Sequence, residues 1–188
     1  MTSSLVKLRK GKKDFDWDKL VSPESTRLEI ISPSLEEIPD HFDKVPNLMA
    51  LEIHCPELKE LPPTFFGLEK LVLLKIKNST ELNLAGDAKF RLLKTLQLAK
   101  LKTESLPNWL EHSEHIEVLD LHGNLLCDVP DYFKNFKALK RLNLDSNKFT
   151  TLPWELEELT SLTHLSVDGN SFDEDEKLRI NRVFRISF

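Results

Sequence analysis

Apolar residues recur along this chain in pairs separated by one position. Leu28-Glu29-Ile30, Leu51-Glu52-Ile53 and Leu74-Lys75-Ile76 stand 23 residues apart, and Leu96-Gln97-Leu98 follows after 22. Steps of 23 then lead to Leu119-Asp120-Leu121, Leu142-Asn143-Leu144 and Leu165-Ser166-Val167. An alternation of this kind puts two aliphatic side chains on one face of a short strand and the residue between them on the other. Strands at a fixed spacing and in one direction predict a parallel sheet, with a return segment in every repeat. Each return segment has its own signature. Ile38-Pro39, Leu61-Pro62, Leu106-Pro107, Val129-Pro130 and Leu152-Pro153 share a column, and apolar residues follow at helical spacing, as in Phe133 and Phe136 or Leu156 and Leu159. Proline pre-sets φ for a first helical position, so each return segment is predicted to hold about one helical turn.

The repeats are therefore expected over residues 25–172, in seven units starting at 25, 48, 71, 93, 116, 139 and 162. Residues 1–24 form an N-terminal cap and residues 173–188 a C-terminal cap helix with a short strand, all within one domain. Asp173 stands where it can cap that helix, with Glu174, Asp175 and Glu176 in the first turn and Leu178, Ile180, Val183 and Phe184 on its apolar side. The N-terminal region reads either as a β-hairpin around Lys10-Gly11-Lys12, with Leu8, Phe15 and Trp17, or as a helix through Asp16–Val21.

The pattern resembles the leucine-rich-repeat family in its 23-residue LPxxLxxL form, seen here as LPNWLEHS, VPDYFKNF and LPWELEEL. Small bacterial proteins, many of them from spirochaetes, are similar. The resemblance implies an α/β fold: a right-handed leucine-rich-repeat solenoid with a parallel β-sheet on its concave face and short helical turns on its convex face. The chain departs from the family in the column that normally carries asparagine, which reads Pro33, Pro56, Ser79, Leu101, Asn124, Asn147, Asn170. A ladder of buried amides is expected at Asn124, Asn147 and Asn170, and a differently bonded N-terminal half. The third unit also lacks its Leu-Pro, reading Leu84-Ala85, and is one residue short.

Composition sharpens this picture mainly by exclusion. The 188 residues include 35 leucines but only 5 glycines and 2 cysteines. Those glycines are too scattered for a phosphate-binding loop or a nucleophile elbow. Neither CxxC nor HExxH occurs. Cys55 and Cys127 read as core or boundary residues, His112 and His115 as an exposed polar face, and Asn78-Ser79-Thr80 as a chance sequon. No enzyme is expected, and no cofactor or metal. A net charge of −5 gives no broad attraction to nucleic acid. No apolar run is long enough for a membrane span, and the absence of a visible leader points to the cytoplasm, with export as the alternative if a leader preceded Met1.

What is left is binding. A non-catalytic scaffold for a protein partner is expected, monomeric unless its convex side self-associates. Two alternatives stand beside it: a regulatory subunit or scaffold of an enzyme such as a phosphatase or small GTPase, and a bacterial adhesin or host-directed effector. The expected concave surface comprises Glu29, Glu52, His54, Lys75, Lys77, Gln97, Lys100, Lys102, Asp120, His122, Asn143 and Asp145. It reads as an acidic start, a basic middle and an acidic end, with Lys75, Lys77, Lys100 and Lys102 placed to steer an acidic segment. On the convex side Trp109, Tyr132 and Trp154 either form an exposed aromatic ridge or lean on neighbouring turns.

Overall fold

The structure, a computed structural model, describes residues 2–7 and 16–186. Eight strands form one sheet in chain order: β1 (Thr2–Lys7), β2 (Ser25–Ile31), β3 (Ala50–His54), β4 (Leu73–Lys77), β5 (Thr95–Ala99), β6 (Val118–Asp120), β7 (Arg141–Asn143) and β8 (His164–Ser166). Every neighbouring pair is parallel. The register places Leu28, Leu51, Leu74, Leu96, Leu119, Leu142 and Leu165 in one line. The paired aliphatics on β2 to β8 are buried, apart from a half-buried Leu165 at the last strand.

At the N-terminal end, β1 was not anticipated, since only Leu5 and Val6 hint at a strand there. A short helix α1 (Trp17–Leu20) occupies the stretch where a helix was the second reading. The hairpin reading around Lys10-Gly11-Lys12 lies outside the described residues.

The return segments differ from expectation in two ways. Their helical turns are 3-10, at Phe42–Lys44, Pro63–Gly67, Asn108–His112, Asp131–Asn135 and Trp154–Glu158. The repeat-column prolines Pro62, Pro107, Pro130 and Pro153 sit just outside these turns in extended conformation, with φ between −56 and −69. Their carbonyls accept from the N–H three residues on, as in Phe133 N–H to Pro130 O at 2.9 Å. The third unit has no helical turn. Its chain instead runs past the ring of Phe66, whose atoms would lie 2.1 Å from any Cβ added at Gly86.

Where the strands end, the chain turns through left-handed backbone at Asn78, Lys100, Gly123, Ser146 and Gly169. Each residue precedes the asparagine column. In the last three units the amides fill that column. Asn124 donates to Leu98 O and Leu121 O at 2.7 and 2.8 Å and accepts from Leu101 N–H at 3.0 Å. Asn147 and Asn170 repeat the arrangement one and two units on. Earlier units substitute smaller groups. Ser79 Oγ donates to Cys55 O at 2.8 Å, and the Cys55 thiol approaches Ile30 O at 3.8 Å.

Rings line the convex interior. Phe42, Phe65, Phe90 and Trp109 meet edge to face, with centroids 5.3–5.9 Å apart. Phe133 and Phe136 continue the row at 5.0 Å. Ser113 occupies the repeat position of Phe90 and Phe136. It is fully buried, and its Oγ has no hydrogen-bond partner among the described residues. An unpaired buried hydroxyl costs free energy, so Ser113→Ala should stabilise the protein by about 1 kcal/mol. For a chain of this size that raises the thermal midpoint by about 3 °C. A lower midpoint would show that the hydroxyl has a partner.

At the C-terminal end, helix α2 (Glu174–Phe184) is held to the last repeat by a compact network. Asp173 Oδ1 accepts from Glu176 N–H at 2.8 Å. The Glu176 carboxylate accepts from Leu152 N–H at 2.7 Å, and Arg179 Nη2 donates to Leu152 O at 2.6 Å. Hydrogen bonds from the Arg179 guanidinium hold the Glu176 carboxyl below its ordinary range. Glu176, Ile180 and Phe184, four residues apart, face inward. Leu178 and Val183 lie outside that face and are 65% and 43% exposed, contrary to the apolar side expected for this helix.

Candidate functional site

Three columns of side chains stand on the exposed face of the sheet. Alternation along each strand sends every second residue there, and parallel register stacks equivalent positions roughly 4.8 Å apart. The central column holds Glu29, Glu52, Lys75, Gln97, Asp120, Asn143 and Ser166. Two places on lie His54, Lys77, His122 and Asp145.

Many of these charges are already partnered. Glu52 takes the guanidinium of Arg27 on one side and Lys75 Nζ, at 3.4 Å, on the other. Asp120 accepts from Gln97 and pairs with His122 Nδ1 at 2.8 Å. Asp145 Oδ1 accepts from Ser166 Oγ at 2.7 Å and from Asp168 N–H at 2.8 Å. His54 Nε2 meets Asn78 Nδ2 at 2.7 Å. Lys75 is therefore balanced by Glu52, and the acidic end is largely satisfied from within. Lys77 borders a small cavity of about 100 Å³ with Glu29, Glu52, His54 and Lys75. Lys100 and Lys102 are exposed on the loop after β5, both with φ of 57. Among the described residues, Lys77, Lys100 and Lys102 make no ion pair.

Sequence reasoning missed a further column, one residue before the first paired leucine. The register aligns Arg27, Ala50, Leu73, Thr95, Val118, Arg141 and His164. Ala50, Leu73, Thr95 and Val118 give an apolar to weakly polar strip in the middle of the face, each partly exposed. The signal was present in the sequence, because the same two-residue alternation that buries Leu74 must expose Leu73.

Residues 129–172 match the family model described as leucine rich repeat. The chain has the leucine-rich-repeat fold. No curated protein matches it in sequence. Among solved structures, human trophoblast glycoprotein is similar with a TM-score of 0.65 and 24% identity, over 84% of this chain and 65% of that one. A chain of the Drosophila Toll–Spätzle complex is similar at 0.62 and 22%, over 79% of this chain and 24% of that one. A Leptospira interrogans leucine-rich-repeat protein is similar at 0.49 and 22%, over 88% and 53%. The chain thus spans less than two thirds of each of these structures.

On the convex side of the leucine-rich repeats the three aromatics do not form an exposed ridge. Trp109 is 2% exposed, and its Nε1–H donates to Leu84 O at 2.9 Å. Its ring meets Phe90 edge to face at 5.3 Å. Tyr132 is half-buried against Phe133 and Phe136, and burial, followed by the nearby Glu111, raises its hydroxyl pKa. Only Trp154 stands out, 57% exposed with Lys134 Nζ 5.9 Å from its ring centroid.

His112 and His115 line a surface cavity with Lys89, Arg91 and Glu114. Among the described residues, no group of three or more His, Cys, Asp or Glu side chains is arranged to hold a metal ion. Burial pushes the Cys55 thiol up to about 11, which leaves little thiolate at neutral pH. No helix among the described residues is long and apolar enough to cross a membrane.

Proposed function

We propose that the chain is a non-catalytic scaffold that binds another protein on the concave face of its sheet. The observation that carries this reading is the uneven satisfaction of charge on that face. Its carboxylates at positions 52, 120 and 145 are engaged by neighbouring side chains, whereas Lys77, Lys100 and Lys102 are not. Those three lysines cluster at the outgoing ends of β4 and β5 and favour an acidic segment of the partner. The Toll–Spätzle complex, a protein assembly that contains a similar fold, supports the reading by analogy of fold alone.

The test is charge reversal on Lys77 and Lys100, with Lys75 left intact because it also holds Glu52. A protein partner captured by the wild-type chain should bind Lys77→Glu/Lys100→Glu about tenfold more weakly at low ionic strength. The difference should narrow in high salt, where exposed charges are screened. Equal affinities at low salt would overturn the role of these lysines.

A further inference from the structure

A cavity of about 920 Å³ opens where the concave face meets the C-terminal residues. Its wall is formed by β6–β8 together with Val183–Ile186. Half-buried Leu162 and Leu165 and exposed Val183 give it an apolar floor. Arg141, His164 and Arg185 stand around that floor, all exposed. The volume lies within the roughly 300–1,000 Å³ range of sites that enclose a ligand.

Its charges are one-sided. Two carboxylates line the cavity, Asp120 and Glu157, and both are taken. Asp120 is engaged by Gln97 and His122, and Glu157 accepts from Arg179 Nη1 at 2.6 Å. The guanidinium groups of Arg141 and Arg185 have no hydrogen bond or ion pair among the described residues. His164 contacts only its neighbour Thr163, through Nδ1 at 2.9 Å, among those residues. The cavity therefore combines apolar surface with two unneutralised guanidiniums, in a protein whose net charge is −5. Guanidinium matches carboxylate in planar, bidentate geometry.

We infer that this groove is a second binding subsite, which takes an extended peptide segment of the partner carrying an aliphatic side chain beside carboxylates. The aliphatic group lies on Leu162, Leu165 and Val183, and the carboxylates meet Arg141 and Arg185. The three strands that border the groove cover about 10 Å, the length of roughly three extended residues. This inference rests on the reading of the chain as a protein-binding scaffold, but it uses different residues from the lysine cluster.

The test is selection from a randomised heptapeptide library against the full chain, repeated with Arg141→Glu/Arg185→Glu and with Lys77→Glu/Lys100→Glu. Wild type should enrich peptides with Leu, Ile or Val next to two or more Asp or Glu. The best of these should shift the methyl resonances of Leu162, Leu165 and Val183. Its affinity should fall about tenfold with the arginine reversals and change little with the lysine reversals. Failure to enrich such peptides, silent groove methyls, or affinity that survives the arginine reversals would overturn the inference. Peptides lost only with the lysine reversals would reject this groove while leaving the concave protein-binding reading intact. Peptides lost only with the arginine reversals would support the groove whatever becomes of the lysines.

Discussion

Replacing Trp109 by alanine should destabilise the protein by about 3–5 kcal/mol, the range for removing a buried large aromatic side chain. Three losses add together. The indole fills the convex interior and is 2% exposed. Its ring meets Phe90 edge to face at 5.3 Å, in a row of rings that includes Phe65 and Phe42. Its Nε1–H also satisfies Leu84 O, a carbonyl in the one unit that lacks a helical turn. Trp109→Phe should cost less, about 1–3 kcal/mol, because most of the volume survives while Leu84 O loses its donor. Trp154→Ala, by contrast, removes a ring that is 57% exposed and should fall within about 0.5 kcal/mol of wild type. Urea unfolding of the three variants checks the order. Equal values for Trp109→Ala and Trp154→Ala would mean that Trp109 is a surface residue after all.

The contrast between these two tryptophans shows where sequence reasoning reaches its limit. Leu-x-Leu at a fixed step is legible because alternation and register leave only one arrangement for the aliphatics. The strand lines from Leu28 to Val167 follow from it without reference to the rest of the molecule. Trp109, however, occupies a position where Tyr132 is half-buried and Glu155 is buried, so the repeat pattern alone does not decide exposure. The decision is made by contacts with neighbouring units. Trp109 turns inward onto Phe90 of the preceding unit and donates to Leu84 O. Similarly, apolar residues three and four positions apart suit either a 3-10 or an α turn, so their spacing does not decide between the two.

The surface was legible by column and not by charge balance. Alternation places Glu52, Lys75 and Asp120 on the exposed face, yet counting them as stripes treats each as independent. In the structure Glu52 draws Arg27 and Lys75 together, and Asp120 is engaged by Gln97 and His122. Those pairings depend on the lateral spacing of adjacent strands and on side-chain length. They leave Lys77, Lys100 and Lys102 as the unbalanced group in the middle. The groove was illegible for another reason, since it joins Arg141 on β7 to Arg185, more than 40 positions away at the end of α2.

Asn147→Ala should be about as damaging as the loss of Trp109, by a different route. The amide is 3% exposed and makes four hydrogen bonds to backbone. It accepts from Leu126 N–H at 3.1 Å and donates to Leu121 O and Leu144 O at 3.0 Å and to Asp145 O at 3.2 Å. Alanine leaves Leu126 N–H inside the solenoid without a partner, which costs about 1–3 kcal/mol. It also removes one of two donors from Leu121 O, Leu144 O and Asp145 O, which keep Asn124, Asn170 and the Gly123 N–H and lose about 0.5–1.5 kcal/mol for each bond. A total of about 3–5 kcal/mol is expected, measurable as a lower urea midpoint with an unchanged slope. Asn147→Asp should do no better, because a carboxylate keeps the acceptor for Leu126 N–H but cannot donate to the carbonyls. The same reasoning ranks the column. Asn170 lies half-buried at the last unit, where water can replace part of the amide, so Asn170→Ala should cost less than Asn147→Ala. Ser79→Ala should cost less again, about 1 kcal/mol, because Ser79 Oγ supplies a single bond to Cys55 O. If Ser79→Ala proved as costly as Asn147→Ala, the number of backbone groups served by each side chain would not be what sets its contribution. The ladder would then owe its stability to packing alone.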